Sequence, residues 1–128
     1  MGTERRHSRK REAIRRFLAQ TREHPSAETI YAQLKPEYPD LSLGTVYRNL
    51  ALFLEEGAAV RVATVAGQDR YDGCTRPHAH FVCRRCGQVI DVETPLPDPA
   101  AFGRDMPGTV RDYCLTFYGV CDHCDHGQ

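Results

Sequence analysis

The chain has 128 residues, and its 17 Lys/Arg against 17 Asp/Glu leave a formal net charge of zero. That length fits one domain or two very small ones, and the balance excludes bulk positive charge as a basis for choosing partners. The charge is unevenly spread: residues 1–61 carry 11 Lys/Arg against 8 Asp/Glu, and residues 62–128 carry 6 against 9. A basic front half and an acidic, cysteine-bearing back half point to two separate jobs. No apolar run is long enough to span a bilayer, and the charged opening Met1-Gly2-Thr3-Glu4-Arg5-Arg6 lacks a secretory signal pattern. Cytoplasmic residence with no membrane partner is expected, and in that compartment six cysteines are not a disulfide framework.

Residues 5–22 are rich in arginine, with Ala13, Ile14, Phe17 and Leu18 in a helical apolar stripe. The arginines are either the solvated face of that helix or a face for phosphates. Pro25 disfavours helical geometry at His24, and Ser26 serves as N-cap for a second helix over 27–34. The buried face of that helix is expected at Ala27, Ile30, Tyr31 and Leu34. A histidine before a proline is, by itself, more often a surface residue than a ligand. Pro36 and Pro39 mark a connector; Ser42 then caps a third helix over 43–56, closed by Gly57. Leu43, Val46, Leu50, Phe53 and Leu54 fall on one side of it. Thr45, Arg48 and Asn49 fall on the other, with Tyr47 at the border. Two helices, a proline-bearing turn and a third helix form a helix-turn-helix, which would offer Thr45, Tyr47, Arg48 and Asn49 to a major groove. A small helical bundle with a polar outer face carries the same pattern. Residues 59–65 and 70–72 read as strands around a turn at 66–69. A hairpin directly after such a helix, with Arg61 and Arg70 on it, is a winged-helix arrangement and favours the DNA reading.

Two metal-binding grammars overlap in residues 72–91. His78 and His80, flanked by Asp72 and Asp91, are nitrogen and oxygen donors; two histidines two apart on a strand share a face and can meet one ion. Cys83 and Cys86 form a thiolate pair, and Cys121 and Cys124, after 34 intervening residues, form another. This pattern predicts a tetrahedral zinc site, with a redox dithiol as the alternative. Cys74 and Cys114 read as ordinary small residues. Strands over 77–83, 88–93 and 113–120, with a short helix beginning at Ala100, would make a small sheet. About 50 residues build too little core alone, so zinc is expected to staple it.

These residues carry a resemblance that covers essentially the whole chain. His24-Pro25-Ser26-Ala27, Thr45-Val46-Tyr47-Arg48-Asn49-Leu50, Arg70-Tyr71-Asp72, His78-Ala79-His80-Phe81-Val82-Cys83-Arg84-Arg85-Cys86-Gly87 and Tyr118-Gly119-Val120-Cys121-Asp122-His123-Cys124 resemble the ferric uptake regulator (Fur) family of metal-dependent repressors. Within it they are most similar to the peroxide-sensing PerR subgroup. The resemblance implies an α+β fold: a winged helix-turn-helix DNA-binding domain over 1–73, then a small α/β dimerisation and metal-binding domain over 74–128. It implies structural Zn2+ on Cys83, Cys86, Cys121 and Cys124, and regulatory Fe2+ or Mn2+ on His24, Asp72, His78, His80 and Asp91. Three neutral imidazoles and two carboxylates balance a divalent cation and suit either metal. A homodimer would read a pseudo-palindromic double-stranded operator with Thr45, Tyr47, Arg48 and Asn49, while Arg9, Lys10, Arg11 and Arg61 meet phosphates.

The resemblance further implies a consumable sensor rather than an enzyme, repressing transcription until peroxide oxidises His24 or His78 through Fe(II). Iron and zinc sensors of the family usually have glutamate where Asp72 stands, and His-His-Asp-His where this chain has Pro77-His78-Ala79-His80. Tyr113 stands where a third ligand of the further site often lies, so one regulatory site is expected. The family's extra N-terminal helix has no counterpart, because residues 6–11 match the segment after it; its outer DNA contacts are not expected. The alternative within the class is an iron- or manganese-responsive repressor that does not use peroxide. Outside it stand a zinc-ribbon interaction module and a hydrolytic metalloenzyme, for which the sequence offers no clear general base.

Overall fold

The computed structural model describes the backbone over residues 2–74, 78–111 and 113–127, and within these the side chains over 9–125. It forms two compact units, Met1–Thr75 and Arg76–Gln128.

The first unit contains three helices, α1 (Gly2–Gln20), α2 (Ala27–Leu34) and α3 (Leu43–Glu56), and a hairpin of β1 (Val60–Val65) and β2 (Gln68–Asp72). Local chemistry sets the ends of α2 and α3. The Ser26 hydroxyl accepts from the Thr29 amide at 3.1 Å, and Ser42 does the same for Thr45 at 3.1 Å, satisfying donors that a helix start leaves open. Gly57 takes φ 76° and turns its amide back to the Leu54 and Phe53 carbonyls, ending α3. Ile14, Leu18, Ile30, Leu41, Val46, Leu50 and Phe53 form one buried core with Tyr71 from β2. Tyr31 and Leu34, expected to be buried on α2, are half-buried at its edge.

The hairpin turn is tighter than expected. Ala66 and Gly67, at φ 52° and 79°, form a two-residue turn whose backbone twist matches the strands. Gln68 and Asp69 therefore belong to β2, paired with Val65 and Thr64, and not to a turn over 66–69. Asp69 makes this possible: it accepts from the Thr64 hydroxyl at 2.7 Å and pairs with Arg61 at 3.3 Å across the ladder.

Just past β2, a Cβ built on Gly73 would lie 2.8 Å from the Leu18 carbonyl oxygen. The obstacle is helix backbone, so it cannot swing aside. Gly73→Ala should cost about 1–3 kcal/mol, as overpacking typically does, lowering the urea midpoint of this unit at unchanged m-value.

The second unit is a three-stranded sheet in the order β4-β3-β5. β3 (Ala79–Cys83) pairs antiparallel with β4 (Val89–Val92) and parallel with β5 (Thr116–Gly119). Each strand is shorter than its apolar run; Pro77, where the first was expected to open, lies outside the described residues. A 3-10 helix, Pro99–Asp105, sits where a short helix was expected, its start capped by the Asp98 carboxylate on the Ala100 amide at 2.8 Å. One element was not anticipated: a closing helix α4 (Asp122–Gly127). Among the described residues of this unit the buried apolar ones are Ala79, Val82, Cys83, Val89 and Cys121, a small set for holding a sheet without a staple.

Candidate metal centres and DNA-facing surface

The Cys83–Cys86 knuckle closes over Gly87, whose φ of 77° and amide bond to the Cys83 carbonyl at 2.9 Å reverse the chain. β5 runs parallel to β3 and delivers Cys121 beside the knuckle. The first turn of α4 then brings Cys124 round, with the Asp125 amide on the Cys121 carbonyl at 2.8 Å. One Sγ from each of the four cysteines lies within 4.8 Å of the others, and Cys86 and Cys121 Sγ are 3.9 Å apart. That is no disulfide, and it is close to the ~3.8 Å edge of a tetrahedron with Zn–S bonds of about 2.3 Å. The donor set fits zinc. Amide bonds from Cys121 at 3.3 Å and Cys86 at 3.4 Å favour the Cys83 thiolate and bring its thiol down to about 6. Cys124 goes the other way, to about 12, because its hydrogen bond with Cys121 favours the thiol form, burial adds to this, and the neighbouring sulfurs disfavour another negative charge. A divalent cation reverses that penalty.

In the first unit, His24 Nε2 meets Asp72 Oδ2 at 3.3 Å, with both side chains buried at 2% and 7% exposure. The other Asp72 oxygen accepts from the Cys74 amide at 2.8 Å. His24 adopts φ 53°, in the left-handed region, a conformation that costs an L-residue roughly 1–2 kcal/mol and persists where surrounding contacts enforce it. In the second unit, His78 and His80 lie on one face of the sheet with ring centroids 4.4 Å apart. Both approach the same oxygen, Asp91 Oδ1, at 3.0 Å and 3.3 Å. Register places it there, since His80 stands opposite Asp91 in the β3–β4 ladder. Each unit thus presents a histidine–aspartate set of nitrogen and oxygen donors, a mixed set that suits first-row divalent cations such as Fe2+ and Mn2+.

On α3, Arg48 is exposed and bonds the Thr45 hydroxyl at 3.0 Å; Tyr47 is exposed and donates its hydroxyl to Glu28 at 2.7 Å. That bond, with burial as a lesser cause, raises the Tyr47 phenol above its usual range. Asn49 does not face outward as expected. It is buried, donating to the Thr45 carbonyl at 2.9 Å and accepting from Arg11 Nε at 2.9 Å, because α1 packs close enough to reach around that side of α3. Arg9 is exposed, Lys10 pairs with Asp40 at 3.2 Å, and Arg61 is held by Asp69 on the wing.

A model of the ferric uptake regulator family matches residues 3–99. The chain belongs to this family. Among its curated relatives, the peroxide-responsive repressor PerR of Staphylococcus epidermidis is 33% identical over 119 residues, 89% of this chain and 77% of that one. Among solved structures, the Campylobacter jejuni peroxide stress regulator superposes with a TM-score of 0.78 at 26% identity, covering 96% of this chain and 94% of its own. The Pseudomonas aeruginosa ferric uptake regulator with manganese does so at 0.65 and 28%, covering 88% and 87%. The fold of this Fur-family chain, a winged helix-turn-helix followed by a small α/β unit with a four-cysteine cluster, is that of the family.

Two features of this Fur-family chain were not foreseen. Glu28 braces Tyr47 from the neighbouring helix. Arg70, expected on the wing, turns inward, giving Nη2 to the Glu23 carbonyl at 2.8 Å and Nε to the His24 carbonyl. Both partners are distant in sequence, so no local spacing signals them.

Proposed function

We propose that this Fur-family chain is a metal-dependent DNA-binding repressor that responds to hydrogen peroxide by oxidising its own ligand histidine. The observation that carries this reading is the pair of half-sets, His24 with Asp72 and His78 with His80 on Asp91. They belong to two units joined through the few residues between Asp72 and His78. A single Fe2+ or Mn2+ satisfied by all five would tie the winged helix to the sheet unit. Metal occupancy would then select one arrangement of two recognition helices in a homodimer. Moving such an equilibrium from mostly open to mostly closed takes about 5 kcal/mol of differential binding, within reach of five ligands.

Ferrous iron held by these residues would supply redox catalysis at the imidazoles: one peroxide oxygen would enter an imidazole C–H bond and the other leave as water, with the imidazole as the net two-electron reductant. The imidazole is oxidised, the peroxide reduced, and a ligand of the set is lost. His24 and His78 are the residues expected to gain the oxygen. The peroxide-responsive names of the relatives support this chemistry. Mn2+ would occupy the same donors without it, and the manganese-bound Pseudomonas aeruginosa relative favours a second reading, a manganese- or iron-responsive repressor indifferent to peroxide.

Dimerisation is supported by the sheet. Ile90, Phe81 and Phe117 are register partners in one row across β4, β3 and β5, and both outer members are exposed. A second copy would cover that row. No helix among the described residues is long and apolar enough to cross a membrane. Arg48 and Tyr47 would read bases, with Thr45 positioning Arg48; Arg9, Lys10 and Arg61 would meet phosphates, and Asn49 would act indirectly by holding Arg11.

Selection from a random duplex pool tests the reading. With Mn2+ present, a pseudo-palindromic site should be enriched and released by salt; with chelator, enrichment should vanish. Equal enrichment in both conditions would contradict a metal-dependent repressor.

A further inference from the structure

We propose that Arg70 is a positioning residue for the regulatory metal centre: its guanidinium clasps the backbone at Glu23 and His24, and so aims the His24 imidazole. The role rests on His24 being a ligand, as proposed above.

Three consecutive carbonyls of the segment before α2 are taken by two consecutive residues of β2. Glu23 O accepts from Arg70 Nη2 at 2.8 Å, His24 O accepts from Arg70 Nε, and Pro25 O accepts from the Tyr71 amide at 3.0 Å. The next residue of β2, Asp72, meets the His24 ring. Residues 70–72 thus grip residues 23–25 by backbone and side chain together, at the place where His24 stands at φ 53°. An unrestrained histidine would leave that conformation for a commoner one, carrying its imidazole off Asp72. Pro25 allows no relief from its own side, having no amide to offer and a fixed φ.

Arginine suits the task for a geometric reason. Its rigid planar fork can engage two adjacent carbonyls at once, whereas lysine presents a single point of charge on a flexible stem. The guanidinium itself, being cationic, is no ligand. It acts entirely through the backbone of a residue that is one.

The experiment is Mn2+ titration of the zinc-loaded full-length protein and its R70K, R70A, H24A and H24A/R70A variants. Residues that orient metal ligands typically alter affinity about 10–100-fold; R70A should weaken Mn2+ binding about 10-fold, with R70K between it and the parent. H24A should weaken binding too, and adding R70A to it should cause no further loss, since the clasp would have no imidazole left to aim. Zinc content and urea midpoint report whether each variant is folded. If R70A is not, R70K carries the same comparison.

Parent-like affinity in R70A or R70K, with H24A weakened, would overturn the role of Arg70 alone. So would an equal further loss when R70A is added to H24A, which would make the effect general to the fold. Parent-like affinity in H24A would overturn His24 as a ligand, and the aiming role with it.

Discussion

Cys121→Ser is expected to unfold residues 76–128 while leaving the winged-helix unit folded. Among the described residues, the buried apolar set of the sheet unit is Ala79, Val82, Cys83, Val89 and Cys121, and Cys83 and Cys121 belong to the four-cysteine cluster. Binding of structural zinc contributes about 10–16 kcal/mol in small zinc-dependent peptides, comparable to the whole stability of an ordinary domain. Serine offers no thiolate where Cys121 Sγ now lies 3.9 Å from Cys86 Sγ. Amide exchange should show loss of protection in β3, β4 and β5, with α2 and α3 still protected by Ile30, Val46, Leu50 and Phe53. A strong chelator should reproduce the result in the parent protein. A sheet that stays protected without metal would mean that its own packing holds it.

The second large effect is at His24. His24→Ala should lower Mn2+-dependent affinity for the selected duplex on the order of 100-fold, in line with the upper range for perturbed metal sites. Weak, salt-sensitive binding without metal should persist, because Arg9, Lys10 and Arg48 are untouched. Asp72 shares the buried contact with His24, so Asp72→Ala should behave alike and remove the Cys74 amide bond as well. Gel shifts at two Mn2+ concentrations separate lost metal affinity, recoverable at high metal, from lost coupling, which is not.

The legible parts of the molecule were those whose cause is local. Ser26, Ser42 and Gly57 mark helix ends because a cap is made within three or four residues of itself, and α2 and α3 begin and end at the expected residues. The two Cys-x-x-Cys pairs and His78-x-His80 are equally local, each a turn or a strand face. Asn49 was misplaced because its orientation is decided by Arg11, 38 residues away. Arg70 escaped for the same reason, its partners lying 46 and 47 residues back. The hairpin turn begins at Ala66, a residue with no usual preference for positive φ, and the Asp69 contacts that stabilise it run across the ladder. The helix α4 is a six-residue, mostly polar segment with no apolar periodicity to announce it; it forms where Cys121 and Cys124 must converge.

The most direct measurement is the intact and peptide mass of the Fe2+-loaded and Mn2+-loaded protein after brief exposure to hydrogen peroxide. A peroxide-sensing repressor predicts one added oxygen on the peptide containing His24 or His78, in the iron form alone, together with release from the selected duplex. Oxidised Cys83, Cys86, Cys121 or Cys124 with loss of zinc, and both histidine peptides unchanged, would contradict the account and move the sensor to the thiolates.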